Sequence, residues 1–156
     1  SHMDSKLQQY VGSTVEPFVP HRGAMMLLDR LVAIGTEHVA CEWSISGENA
    51  FLQPGLGVPA YVGIEYMAQA VAVHAGARAL ADGNPPPLGF LLGTRKFESE
   101  VAYLEEGVTY RAECQQIIKG EGGLGSFECC IKSGDKTLAH ARLSVLEGLG
   151  SIDLNG

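Results

Sequence analysis

The residues Ala60 to Leu80 read Ala-Tyr-Val-Gly-Ile-Glu-Tyr-Met-Ala-Gln-Ala-Val-Ala-Val-His-Ala-Gly-Ala-Arg-Ala-Leu, and this run leaves the chain few ways to fold. At 3.6 residues per turn it makes about six turns of helix that are apolar almost all round. Such a helix either crosses a membrane or forms the centre of a soluble fold. Glu65, Gln69 and His74 lie inside it and no second hydrophobic span accompanies it, so it is predicted to be a buried core helix, with no membrane span. Pro59 stands where a helix can begin, because the N–H it lacks would have no partner there. Asp82-Gly83-Asn84-Pro85-Pro86-Pro87 ends the run: glycine supplies a left-handed cap, and prolines cannot continue the helix.

Around this helix the pattern is mostly strand. A short helix is expected from Ser5 to Gly12, followed by a fixed, irregular segment, Pro17-Phe18-Val19-Pro20-His21-Arg22-Gly23. Met26 to Ile34 and Val39 to Ile45 read as a hairpin, and Gly47 to Pro59 as a loop. After the helix, Leu88–Phe97, Val108–Lys119, Leu124–Lys132 and Thr137–Leu146 carry β-branched and aromatic residues between turn signals. Two strands, one long helix and four more strands predict a single α+β domain in which an antiparallel sheet wraps the helix. Ser1-His2-Met3 reads as the remnant of an expression tag, which leaves residues 4–156 as that domain.

With 18 acidic against 11 basic residues the formal charge is −7, which argues against nucleic acid as a partner. A 46% apolar fraction over 156 residues supports a core without metal or disulfide staples. Cys41, Cys114, Cys129 and Cys130 form no Cys-x-x-Cys pair, and neighbours such as Cys129 and Cys130 on a strand point to opposite faces. His38 and Cys41 are likewise split by strand alternation. The expectation is four reduced thiols, no metal site, and, with no export signal, a cytoplasmic protein.

Glu65 is the only acidic residue, and the only one with permanent charge, between Glu48 and Arg78. A lone carboxylate on an apolar helix is costly to bury ionised, so it either takes a proton or finds a partner. Burial tunes such a group to roughly pH 6–7, where it serves as a general acid. Gln69, four residues on, shares its face and can orient the carboxyl. At the helix start, Gly55-Leu56-Gly57-Val58-Pro59 leads to the N–H groups of Ala60 and Tyr61, a positive dipole end suited to a carbonyl oxygen that gains charge. An acid one turn from such donors suits chemistry beside a thioester. A base has four candidates. His74 is nine residues from Glu65, on the opposite helix face, and reads as a core histidine. His38 in a turn and His140 on a strand have no local partner. His21 sits on a backbone fixed by prolines, as a catalytic side chain requires.

Two motifs then carry a resemblance. Val19-Pro20-His21-Arg22-Gly23-Ala24-Met25-Met26-Leu27-Leu28-Asp29-Arg30 is similar to the "PHR…LLxDR" signature of the β-hydroxyacyl-acyl-carrier-protein dehydratases (FabA/FabZ). Val58 to Ala70, with Ile64-Glu65-Tyr66-Met67-Ala68-Gln69, resembles their central-helix motif, "PG…EAMAQ". The resemblance covers about Val15 to Leu146, and Gly89-Phe90-Leu91-Leu92-Gly93-Thr94-Arg95 resembles most the dehydratase-like proteins of aryl-polyene clusters. Ala60 replaces the usual glycine at the helix start, and Leu52-Gln53-Pro54-Gly55-Leu56-Gly57 lacks the histidine of the family's "GHFPG" stretch.

The resemblance implies a hotdog fold that dimerises, as a homodimer or with a paralogous hotdog subunit, so that the histidine of one protomer faces the acid of the other. It implies that His21 removes the α-proton of a 3-hydroxyacyl thioester, that Glu65 protonates the departing β-hydroxyl, that the Ala60 N–H polarises the thioester carbonyl, with Tyr61 beside it, and that Gln69 orients Glu65. The product is a trans-2-enoyl thioester of fatty-acid or polyene-type biosynthesis, made without a cofactor. The implied partner is an acyl-carrier protein with its phosphopantetheine-linked substrate. Such carriers are acidic, so Arg22, Arg78, Arg95 and Lys96 are expected to dock it, with strand alternation allowing only one of Arg95 and Lys96 to face a given surface. Two alternatives stand beside this reading: a non-catalytic or weakly active partner subunit, and a hotdog thioesterase in which Glu65 activates water.

Overall fold

A computed structural model describes residues 1–19, 26–87 and 89–147, with backbone alone at 89 and 90. Six strands form one antiparallel sheet: β1 (Arg30–Ile34), β2 (His38–Ser44), β4 (Gly89–Ser99), β6 (Thr109–Lys119), β7 (Leu124–Ser133) and β8 (Lys136–Glu147), in the order β1-β2-β6-β7-β8-β4. Two short strands, β3 (Val58–Pro59) and β5 (Tyr103–Leu104), pair separately. The sheet's inner face packs on helix α2 (Gly63–Ala81), which a 3-10 turn at Ala60–Val62 introduces. This is the α+β arrangement expected from the sequence.

Alternation decides which side chains meet the helix. Along β8, Ala139, Ala141, Leu143 and Val145 are buried, while His140 is exposed. On β2 and β6, Val39, Cys41 and Trp43 lie opposite Cys114, Ala112 and Tyr110 and are buried with them. Burying a Leu, Val or Phe contributes about 1.5–3 kcal/mol, and fully buried Leu31, Phe127, Ile131 and Leu143 make this face the main stabilising surface. All four cysteines are free, Cys129 buried and Cys130 half-buried as alternation requires. Burial pushes the Cys41 thiol up to about 12.

The helix ends as its sequence dictates. Gly83 takes φ +78°, its N–H donates to the Leu80 carbonyl, and the Asn84 N–H donates to the Ala79 carbonyl at 2.8 Å. These two bonds satisfy carbonyls that would otherwise be left bare at the C-terminus. On the covered side of α2, Gly76 lets the helix touch the segment before residue 20: a Cβ there would collide with the Phe18 carbonyl.

Several boundaries differ from the sequence reading. The first helix is α1 (His2–Leu7), followed by a 3-10 turn at Gln8–Tyr10, so the residues read as a tag remnant begin a helix that Ser1 caps. The Asp4 carboxylate accepts from the Thr36 N–H at 2.6 Å and its hydroxyl at 2.7 Å, pinning α1 to the β1–β2 turn. Strand β1 starts at Arg30 rather than Met26, and β3 occupies the end of a segment expected to be all loop. Both shifts arise from pairing with distant residues, which local patterning does not reveal.

Candidate active site

Helix α2 is not buried all round. Ile64, Ala68, Gln69 and Ala72 are only partly covered, and Glu65 is exposed, whereas Tyr66, Met67, Ala70, Val73, His74 and Ala77 are buried. Sequence predicted a desolvated Glu65; the sheet covers the other side of the helix and leaves this stripe open. Beside it lies a cleft of about 290 Å³ between α2 and the β4–β8 edge, lined by Glu65, Gln69, apolar side chains including Ala72, Leu91 and Val145, and Glu147.

The start of the helix is held from two directions. Trp43 stacks on Tyr66 with ring centroids 4.1 Å apart, and Asn49 Nδ2 donates to Tyr66 Oη at 2.9 Å, tying the loop after β2 to the first turn. Gln53 and Gly57 exchange backbone hydrogen bonds at 2.8 and 3.0 Å, closing the loop that leads to β3. The Ala60 N–H donates to the Ala102 carbonyl at 2.9 Å, so the donor expected to polarise a thioester is already used. Its place at the end of β3, beside the strand pair with β5, is the reason. The amides of Tyr61 and Val62 come next, and the opening N–H groups of a helix have no carbonyl before them within it. The Tyr61 ring is 67% exposed.

Gln69 does share a face with Glu65, but its Oε1 accepts from the Leu27 N–H at 2.9 Å. It thereby fixes the chain that follows residues 20–25 against the open side of the helix. His21 and Arg22 lie outside the described residues. His74 is a core histidine, as its face predicts: Nε2 bonds to the Gly35 carbonyl at 2.9 Å, and burial lowers its pKa to about 4. His140 stands 3.6 Å from Glu98 on the outer sheet face, and His38 is exposed at the start of β2.

The cationic residues are spread out. Arg78 sits on the last turns of α2 beside Thr36, Glu37 and Lys119. Arg95 is exposed on β4 opposite Arg142, which is itself engaged by Glu128. Lys96 has φ +54° at a bulge where β4 inserts an extra residue against β8 between Arg95 and Glu98. The strict alternation expected of Arg95 and Lys96 therefore breaks at this point.

Sequence reasoning missed Glu147. It continues the inward series Ala139, Ala141, Leu143, Val145 by one more step of two, so period-2 counting carried past Leu146 would have found it. Burial raises its pKa, against the opposing pull of Arg78 and Lys119.

A family model for the ApeP-like dehydratases, described as ApeP dehydratase, matches residues 13–152. The chain belongs to the ApeP-like dehydratase family. No curated protein matches it. Among solved structures, a chain of the dehydratase heterocomplex ApeI:P from Xenorhabdus doucetiae is 27% identical with a TM-score of 0.82, over 88% of this chain and 93% of that one. The sigma28-regulated virulence protein Cj0977 of Campylobacter jejuni (9% identity, TM-score 0.62, 96% and 92% covered) is similar in fold. So is a hypothetical thioesterase of Streptococcus pneumoniae solved with coenzyme A (9%, 0.59, 76% and 84%). The chain thus has a hotdog fold, with α2 as its central helix. None of its helices, among the described residues, is long and apolar enough to cross a membrane.

Proposed function

We propose that the protein eliminates water from 3-hydroxyacyl thioesters carried on an acyl-carrier protein, giving trans-2-enoyl thioesters in polyene-type or fatty-acid biosynthesis. The observation that carries this is Glu65 at the lip of an apolar cleft in a member of a dehydratase family. His21 takes the α-proton as the Cα–H bond breaks. The electron pair becomes the new double bond, and the Cβ–O bond breaks as Glu65 gives its proton to the leaving hydroxyl. A Tyr61 or Val62 N–H, in place of that of Ala60, holds the thioester oxygen as it gains charge. Gln69 holds the segment after His21 against the helix, and no cofactor takes part.

The site is shared between subunits. Residues 12–14 cover the outer edge of β1, with the Gly12 N–H bonded to the Leu31 carbonyl at 2.8 Å and the Leu31 N–H to the Ser13 carbonyl at 2.9 Å. Among the described residues, strand β4 is bonded on one side only, by β8, and exposes Leu91 and Leu92. An exposed, apolar strand edge is a pairing surface. A hotdog subunit joined there closes the cleft and desolvates Glu65. The likeness to a chain of a heterocomplex favours a second reading, in which this chain supports an active paralogue as its partner subunit.

The test is turnover of a 3-hydroxyacyl pantetheine thioester followed by the absorbance of the conjugated enoyl product, alone and with a paralogous hotdog subunit. Activity that Glu65→Gln in this chain abolishes supports catalysis here. Activity of the pair that Glu65→Gln leaves intact supports the supporting-subunit reading.

A further inference from the structure

The loop between β2 and β3 is anchored near both of its ends. Before β3, Gly57 takes φ +116° and lies so close to β5 that a Cβ on it would collide with the Leu104 carbonyl. After β2, Asn49 gathers the loop's own bonds. Its N–H donates to the Ser46 carbonyl at 3.1 Å, its carbonyl accepts from the Leu52 N–H at 3.2 Å, and its Oδ1 accepts from the Phe51 N–H at 2.8 Å. Phe51 and Leu52 then pack against the core. The Asn49 side chain is thus held by its own loop, and its Nδ2 reaches out to donate to Tyr66 Oη at 2.9 Å.

Tyr66 directly follows Glu65 and stands one turn beyond Val62. Its ring is fully buried on Trp43, with the two planes 9° apart, while Glu65 is exposed on the open side of the helix. The stack needs only an aromatic ring, and a buried hydroxyl costs free energy unless it is bonded. What the hydroxyl adds is direction: the stack holds the first turn of α2 against the sheet, and the bond from Asn49 holds it against the loop. Burial raises the Tyr66 pKa, so the hydroxyl stays protonated at neutral pH.

We propose that Asn49 is a positioning residue for the elimination: held by its loop, it fixes Tyr66, and through Tyr66 the placing of Glu65 relative to the Tyr61 and Val62 amides. This rests on the reading that Glu65 gives its proton to the β-hydroxyl of a thioester held at those amides. Acid and amides then serve one substrate at once, so a small shift of the first turn takes one of them out of reach while the cleft still binds the acyl chain. A misplacement of about 1 Å costs on the order of 10²-fold. Losing one hydrogen bond above an intact stack is expected to cost less, about tenfold in kcat.

The test compares Tyr66→Phe, Asn49→Ala and Asn49→Asp with the unsubstituted protein in turnover of a 3-hydroxyacyl pantetheine thioester, alone and with a paralogous hotdog subunit. Trp43 is the chain's one tryptophan, so its emission maximum reports whether the stack on Tyr66 is intact. Tyr66→Phe is expected to lower kcat about tenfold, with KM within about twofold and the emission maximum unmoved. The double variant Asn49→Ala/Tyr66→Phe is expected to be no slower than Asn49→Ala alone, since both substitutions remove one bond. Asn49→Asp is expected to keep most of kcat, because a carboxylate accepts both from the Phe51 N–H and from the Tyr66 hydroxyl. An unchanged kcat in Tyr66→Phe, a loss that falls on KM, or losses that multiply in the double variant would overturn the proposal. So would a loss in Tyr66→Phe accompanied by a shifted emission maximum and a matching fall in melting temperature, which would assign the bond to stability alone. Turnover that Glu65→Gln abolishes and Tyr66→Phe leaves intact would refute the role of Asn49 and keep the dehydration reading. No Glu65-dependent turnover in either setting would refute that reading and the positioning role with it.

Discussion

The two sides of α2 have nearly the same composition and opposite fates. On one side Tyr66, Met67, Ala70, Val73, His74 and Ala77 are buried, and Gly76 lets the backbone of Phe18 approach to contact. On the other, Ile64, Glu65, Ala68, Gln69 and Ala72 stay partly or wholly open beside a cleft. Apolar character alone therefore does not mark core. The covered side does stability work; on the proposed function, the open side is kept apolar for an acyl chain and a second subunit, and its few polar groups carry the chemistry.

The sharpest way to break this comparison is at Glu65. Glu65→Gln is expected to lower dehydration by 10²–10⁴-fold, the usual cost of removing a general acid, while leaving the melting temperature of the isolated chain unchanged because the side chain is exposed. A fall in melting temperature that matches the loss of activity would put Glu65 with the covered side. Gly76→Ala is the mirror experiment. Its methyl group meets the Phe18 carbonyl and is expected to cost about 3 kcal/mol, whereas Ala72→Ser on the open side stays within about 0.5 kcal/mol by chemical denaturation. Equal costs at the two positions would contradict the division.

Much of this division was legible in the sequence, and the missing part has a definite cause. The length of the helix, its cap at Gly83 and the antiparallel strands follow from local pattern, as does the core role of His74 from its nine-residue offset to Glu65. What local pattern does not contain is which side of an all-apolar helix the sheet will cover. The exposure of Glu65, the use of the Ala60 N–H by Ala102 and the tie from Gln69 to Leu27 all depend on partners 40 or so residues away in sequence. Glu147 was readable by strand period, and the bulge at Lys96 was not.

His74 sharpens the comparison through pH. Its pKa falls from 6.5 to about 4 on folding, so the unfolded chain binds a proton more readily between these values. Stability is full above about pH 6.5 and is lost as pH falls toward 4, by roughly 3 kcal/mol at 1.36 kcal/mol per unit. Denaturation at pH 7 and pH 4.5 is expected to show this loss, and His74→Gln to remove most of it. A pH dependence untouched by the substitution would show that the covered face tolerates charge.

The smallest effects are expected at the arginines assigned to carrier docking. Charge reversal at Arg22, Arg78 or Arg95 should raise KM for carrier-bound substrate a few-fold at low salt and leave a small pantetheine thioester unaffected, because attraction between the two proteins acts at long range and is screened by salt. Equal losses with both substrates would assign these arginines to the site itself.

The central claim is that this chain's own open helix face performs an elimination. The most direct measurement is the intact mass of an acyl-carrier protein loaded with a 3-hydroxyacyl chain after incubation with the protein and with its Glu65→Gln variant. The account predicts a carrier lighter by one water, still acylated, that appears with the unsubstituted protein and not with the variant. A carrier that has lost its acyl group would mean thioester hydrolysis, and water loss that persists undiminished in the variant would place the chemistry outside this site.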